Sequence, residues 1–306
     1  MKLPVIPGLA ATILVLTAAS ASADEAKPVK VFILAGQSNM EGKAPNALCE
    51  HQATDEKTKD LFTHLRKDGK WIVRDDVYIR FLERHGPLTV GYGNRDRTGV
   101  ELEFGFALGD YYEEPVLLIK AAWGGHSLFK LFRSPSAGLP AAEKLQTELE
   151  QAQERVRKSN EKNSKSDPLP TMEQIKEVYG STYRNMMAQV RETMQSVGKM
   201  FPALKGRKLE VAGFLWFQGW NDMYGGAEFE YASNMEHFID DVRKVFGVPD
   251  MPFVIGVMGQ NGSKPAKGAM LAIQQAQLGM SDLPKFRNNV RAVRTDELVD
   301  KAAETL

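Results

Sequence analysis

Hydrophobic residues fall into short dense runs separated by longer amphipathic stretches. "VKVFILA" (29–35), "PVLLIKAA" (115–122), "LEVAGFLWF" (209–217) and "PFVIGVMG" (252–259) are rich in Val, Ile, Leu or Phe and close on a small residue or an aromatic. Continuous rather than alternating runs predict strands covered on both faces, as in a parallel sheet. "NNVRAVRT" (288–295) is a weaker fifth candidate. Between the runs the spacing turns helical. It does so over 101–112 ("ELEFGFALGDYY"), and over 172–200, where Met172, Ile175, Val178, Tyr183, Met187, Val190 and Met194 keep a period near 3.6. Residues 228–246 predict a further amphipathic helix with a good capping context. Strand then helix, repeated, predicts an α/β protein: a three-layer, doubly wound fold on a mainly parallel sheet of about five strands.

Two stretches interrupt the alternation. Residues 46–100 are polar, with Trp71, Val77, Ile79 and Phe81 hinting at a hairpin. Residues 141–170 predict a highly charged helix and a polar linker, read as a solvated insertion. The N-terminus combines Lys2, an apolar run and the triplet Ala21-Ser22-Ala23, the pattern of a signal peptide over 1–23. That run contains Pro7 and Gly8 and is short for a membrane span. The expected product is one exported domain, 24–306, periplasmic or secreted, with no later membrane span.

Composition narrows the chemistry. Acidic and basic side chains balance at 39 each, so no net field favours nucleic acid or an anionic membrane. Cys49 is the single cysteine, which excludes an internal disulfide framework and a thiolate zinc site. The chain has no His-Glu-x-x-His, no P-loop and no Gly-x-Gly-x-x-Gly after a strand, so no metal or cofactor is expected.

In open α/β sheets ligands bind beyond the carboxyl ends of the strands. The first strand runs into Gly36-Gln37-Ser38-Asn39-Met40, the second into Trp123-Gly124-Gly125-His126-Ser127. The third runs into Gln218-Gly219-Trp220-Asn221-Asp222, the fourth into Gly259-Gln260-Asn261-Gly262. Ser38 suits either a helix cap or a nucleophile placed at free helix N–H groups. The backbone N–H of Gly125 and the side chain of Asn221 are candidate oxyanion donors, with Gln218 the alternative. Trp123 and Trp220 flank these motifs and could stack on sugar rings or pack in the core.

The set "AGQSNMEG", "WGGHSL" and "FQGWND" resembles the SGNH hydrolase superfamily, and more closely its sialate O-acetylesterase-like branch, which includes carbohydrate acetyl esterases. Similarity extends from about Val29 to the end of the chain. It implies a flavodoxin-like SGNH fold with Ser38 as nucleophile and Gly125 and Asn221 in the oxyanion hole. It also implies an acetylated carbohydrate, sialic acid or polysaccharide, as substrate. The branch usually reads Gln-Gly-Glu where this chain has Gln218-Gly219-Trp220. Two further readings remain open: a non-catalytic carbohydrate-binding relative, and a hydrolase of lipid or long-chain esters.

A serine esterase needs a base, which the resembled family supplies from an Asp and His close together near the C-terminus. The histidines here are 51, 64, 85, 126 and 237, and none follows the fifth strand. The expectation is a domain incomplete at its C-terminus and weakly active as it stands, with His126 as the possible substitute base.

Overall fold

The computed structural model describes residues 26–259 and 262–298. Residues 1–23, read from the sequence as a signal peptide, lie outside them. The central sheet is built from β1 (Val29–Gly36), β2 (Val77–Phe81), β3 (Arg84–Pro87), β4 (Val116–Ala122), β5 (Leu209–Phe217), β6 (Phe253–Val257) and β7 (Val290–Arg294). Their order across the sheet is β7-β6-β5-β1-β4-β2-β3, and every neighbouring pair is parallel except β2 with β3.

Side-chain alternation along β1 assigns the two cores. Val29, Val31, Ile33 and Ala35 face one cluster, and Phe32 and Leu34 the other. The first cluster is closed by α5 (Ser181–Gln195) and α6 (Tyr231–Phe246), through Met186, Val190, Phe238 and Ile239. The second is closed by α2 (Glu101–Tyr111), through Leu102 and Phe106. Helices therefore cover both faces, which is why the strand runs read as continuously apolar.

The sheet has seven strands where about five are expected. The additional pair is the β2–β3 hairpin, which the polar stretch 46–100 adds to the sheet beside β4. Its signal is weak because β2 alternates. Val77, Ile79 and Phe81 enter the core, while Arg80 lies on the opposite face. The Arg80 guanidinium donates to Thr193 Oγ1 at 2.8 Å and pairs with Glu192 at 2.7 Å, both on α5. Only a tertiary partner makes a buried arginine tolerable in a strand.

The helical period over 172–200 also divides. It forms α4 (Met172–Val178) and α5, separated by Tyr179 in an extended conformation and Gly180 at φ 72°. A Cβ on Gly180 would sit 2.7 Å from the Arg133 carbonyl oxygen, so the chain passes here only as glycine. The charged insertion is α3 (Ala142–Asn163). Its Leu145 joins a small cluster with Phe129, Ile175, Tyr179 and Ala227. The helix predicted over 228–246 starts at Tyr231 without a side-chain cap and ends on left-handed Gly247. Among the described residues no helix is long and apolar enough to cross a membrane.

Candidate active site

The first strand-end motif begins with a close approach. Gly36 has φ 154°, and a Cβ there would lie 2.2 Å from the Phe217 carbonyl oxygen. Without a side chain, β1 runs tight against β5 and then turns at Gln37 into α1 (Ser38–Glu41). In the sheet register Gly36 pairs with Ala122 on one side and Phe217 on the other. The three central strands therefore end in one row, and the motifs beginning at Gln37, Trp123 and Gln218 emerge side by side. This is where the chain leaves β1 for either flank of the sheet, the usual ligand position of such folds.

Gln37 is buried and ties the first motif to the third. Its Nε2 donates to Asn221 Oδ1 at 3.3 Å, and its Oε1 accepts the Gly219 and Asn221 N–H groups at 3.3 and 3.4 Å. Ser38 thus sits one residue from a side chain anchored on Asn221. Ser38 is half-buried, and among the described residues no hydrogen bond engages its hydroxyl. The Gln37 carbonyl accepts from the Glu41 N–H at 2.7 Å, so the N–H groups of Ser38, Asn39 and Met40 precede the first intrahelical bond. With its Oδ1 committed to Gln37, Asn221 keeps its amide hydrogens as donors.

The second motif turns at Gly125, φ 81°, a left-handed position that favours glycine; a Cβ there would meet nothing within 4 Å. Its neighbour Gly124 lies close to the carboxylate of Glu41, itself held by Lys43 and by Asn94 Nδ2. The Trp123 and His126 rings stack with centroids 6.1 Å apart and planes 13° from parallel. Trp123 also packs against the core, whereas Trp220 is 37% exposed. His126 Nδ1 shares a hydrogen bond of 2.8 Å with Thr182 Oγ1, and burial pulls its pKa below the usual histidine value, favouring neutral imidazole.

Gln218 and Asp222 join the second and third motifs from beneath. Gln218 Nε2 donates to Asp222 Oδ2 at 2.6 Å and to the His126 carbonyl at 3.1 Å. Both amide hydrogens are thereby used within the protein, and its role is to hold the loops together. Asp222, fully buried, accepts the N–H groups of Leu128 at 2.8 Å and Phe129 at 2.7 Å. A second layer supports this one: Tyr231 OH donates to the Gln218 carbonyl at 3.1 Å, and Gln277 Nε2 donates to the same carbonyl at 2.6 Å. Gln37, Asp222, Tyr231 and Gln277 have no assigned role in the sequence reading. Gln37 and Asp222 lie inside its motifs, but their partners are distant in sequence.

Burial raises the Asp222 pKa from 3.8 to about 6, against the opposing hydrogen bonds from Gln218, Phe129 and Leu128. A carboxyl whose folded pKa lies above its unfolded value stabilises most below the unfolded pKa, and that stability is lost as pH rises through the folded one. From about pH 4 to about pH 6 this group alone should cost the fold on the order of 3 kcal/mol. Asp222→Asn, neutral throughout, should flatten that interval. Urea midpoints at pH 4 and pH 7 for both proteins check this, and an unchanged pH dependence in the variant would refute it.

The family model "Carbohydrate esterase, sialic acid-specific acetylesterase" matches residues 28–305. The chain belongs to this family. Among solved structures, one of a protein from Arabidopsis thaliana shares 16% identity at a TM-score of 0.52, covering 90% of this chain and 89% of that one. A carbohydrate acetylesterase from Xanthomonas citri shares 13% identity at a TM-score of 0.50; the match covers 89% of this chain and 50% of the other. These likenesses carry the fold, and family membership carries carbohydrate ester hydrolysis. No curated protein matches the chain.

Proposed function

We propose that this carbohydrate esterase is a serine hydrolase that removes O-acetyl groups from sialic acid or polysaccharide, outside the cytoplasm, through an acyl-enzyme on Ser38. The observation that carries the reading is the level ending of β1, β4 and β5, with Gln37 bridging Ser38's turn to Asn221. Ser38 Oγ gives its proton to a base and attacks the acetyl carbonyl; collapse of the tetrahedral intermediate breaks the ester C–O bond and releases the sugar as its free hydroxyl, reprotonated by that base. The Gly125 N–H and the Asn221 amide donate to the developing oxyanion, assisted by the open N–H groups at the start of α1. Water then releases acetate by attack on the acyl-enzyme.

An organophosphonate should label Ser38 and no other residue; adduct formation that persists in Ser38→Ala would move the nucleophile. Asn221→Ala should lower kcat by about 10²–10³-fold, the usual loss for one oxyanion donor. A p-nitrophenyl ester series should favour acetate over long chains. The reverse order would support the lipid-esterase reading, and saturable glycan binding without turnover the binding-protein reading.

A further inference from the structure

The segment after Asn221 carries apolar surface that the reaction at Ser38 does not require. Tyr224 is 59% exposed and Phe229 83% exposed, following Trp220 at 37%. Phe229 is the most exposed large apolar side chain among the described residues. The three rings lie on one loop between β5 and α6, which begins at the motif holding Asn221.

That loop also touches the charged insertion. Lys144, in the first turn of α3, donates from Nζ to the Gly225 carbonyl at 3.4 Å, and its ammonium lies 4.0 Å from the centroid of Phe129. Ala227 packs in the small cluster with Leu145 of α3. Gly225 and Gly226, at φ 67° and 77°, turn the chain between Tyr224 and Phe229. Beyond Lys144 a shallow groove of about 570 Å³ opens between α3 and α4, lined by the apolar Leu145 and Met172 together with Gln146, Thr147, Glu150 and Lys176. The loop that begins at Asn221 thus carries two exposed rings, Tyr224 and Phe229, and reaches α3 at Lys144, beside a groove of mixed apolar and hydrogen-bonding side chains.

We propose that this surface binds the glycan chain extending from the acetylated sugar, with Tyr224 and Phe229 stacking on sugar rings and the α3–α4 groove receiving more distant units. The inference rests on the carbohydrate reading of the Ser38 site and deepens it. Sugar rings present apolar C–H faces that stack on aromatic planes, while their hydroxyls pair with carboxylate, amide and hydroxyl groups such as those of the groove. The insertion thereby acquires a role as the far wall of a long substrate site.

The test compares O-acetylated sialic acid as the free sugar and as the terminal unit of a pentasaccharide, using the full chain and the Tyr224→Ala/Phe229→Ala variant. The exposure of both rings makes the variant's folding safe to expect, and its melting temperature checks it. The expected result is a KM for the pentasaccharide raised at least tenfold, with kinetics on the free sugar changed less than twofold. Thr147→Trp, which fills the groove, should likewise penalise only the pentasaccharide. Equal effects on both substrates, or none on either, would overturn the subsite. So would sedimentation showing that the rings instead join two copies of the chain, with kinetics unchanged in the monomeric variant. Wild-type protein hydrolysing neither substrate nor p-nitrophenyl acetate would sink the proposed function, and the subsite with it.

Discussion

Ser38→Ala should abolish organophosphonate labelling and reduce acetyl-ester turnover to what the oxyanion donors and substrate binding alone provide. Members of a nucleophile–base unit act non-additively, so removing the nucleophile costs about as much as removing the whole set. The same property makes the base testable. His126 follows Gly125 on the loop after β4; burial pulls its pKa below the usual histidine value and its Nδ1 shares a hydrogen bond with Thr182 Oγ1, but no hydrogen bond joins it to Ser38. If His126 takes the serine proton, His126→Gln will lose as much activity as Ser38→Ala, and the double variant no more than either. A loss under tenfold places the base on another residue. Titration of initial rates against pH, in parallel with the labelling, separates a lost proton acceptor from a disturbed loop.

Lys120→Met should lower unfolding stability by about 3–5 kcal/mol, the cost of leaving a buried charge without its partner. Lys120 and Glu101 are both fully buried and meet at 2.6 Å. Lys120 also donates to the Tyr92 carbonyl at 2.9 Å, and Glu101 Oε1 accepts the Gly99 N–H at 2.8 Å. The pair therefore pins residues 92–99, the segment that carries Asn94 to Glu41, onto β4 just below the site. Lys120→Met combined with Glu101→Gln removes both charges while keeping an acceptor for Gly99, and should recover most of the loss. Chemical denaturation of the two variants measures this. Equal stability of the single and double variants would show that the charge pairing is not what holds the segment.

The order of strands and helices was legible because it depends on local chemistry. The runs at 29–35, 115–122, 209–217 and 252–259 are densely apolar, broken only by Lys30, Lys120 and Glu210, and the structure forms strands at all four, ending within two residues of the expected bounds. Even the weaker run at 288–295 is a strand, Val290–Arg294. The strand-end motifs were legible for the same reason: a strand closing on Gly, followed by Ser or Asn, is a turn whose position the hydrophobic run already marks.

Tertiary structure decided what depends on partners far along the chain. The β2–β3 hairpin joins the sheet through the parallel ladder of β2 with β4, and Arg80 is tolerated there because α5 supplies Glu192 and Thr193, partners that no local pattern announces. The helical period over 172–200 broke at Gly180 because the Arg133 carbonyl crosses there. Gln218 and Asn221 read as equivalent amide donors in sequence. In the fold Asp222 and the His126 carbonyl take both hydrogens of Gln218, whereas Gln37 occupies only the oxygen of Asn221. Hydrophobic periodicity is a property of neighbouring residues and survives in one dimension. The direction of a side-chain amide, and the burial that lifts Asp222 to about 6, arise only when strands distant in sequence, ending at Gly36, Ala122 and Phe217, finish in the same row.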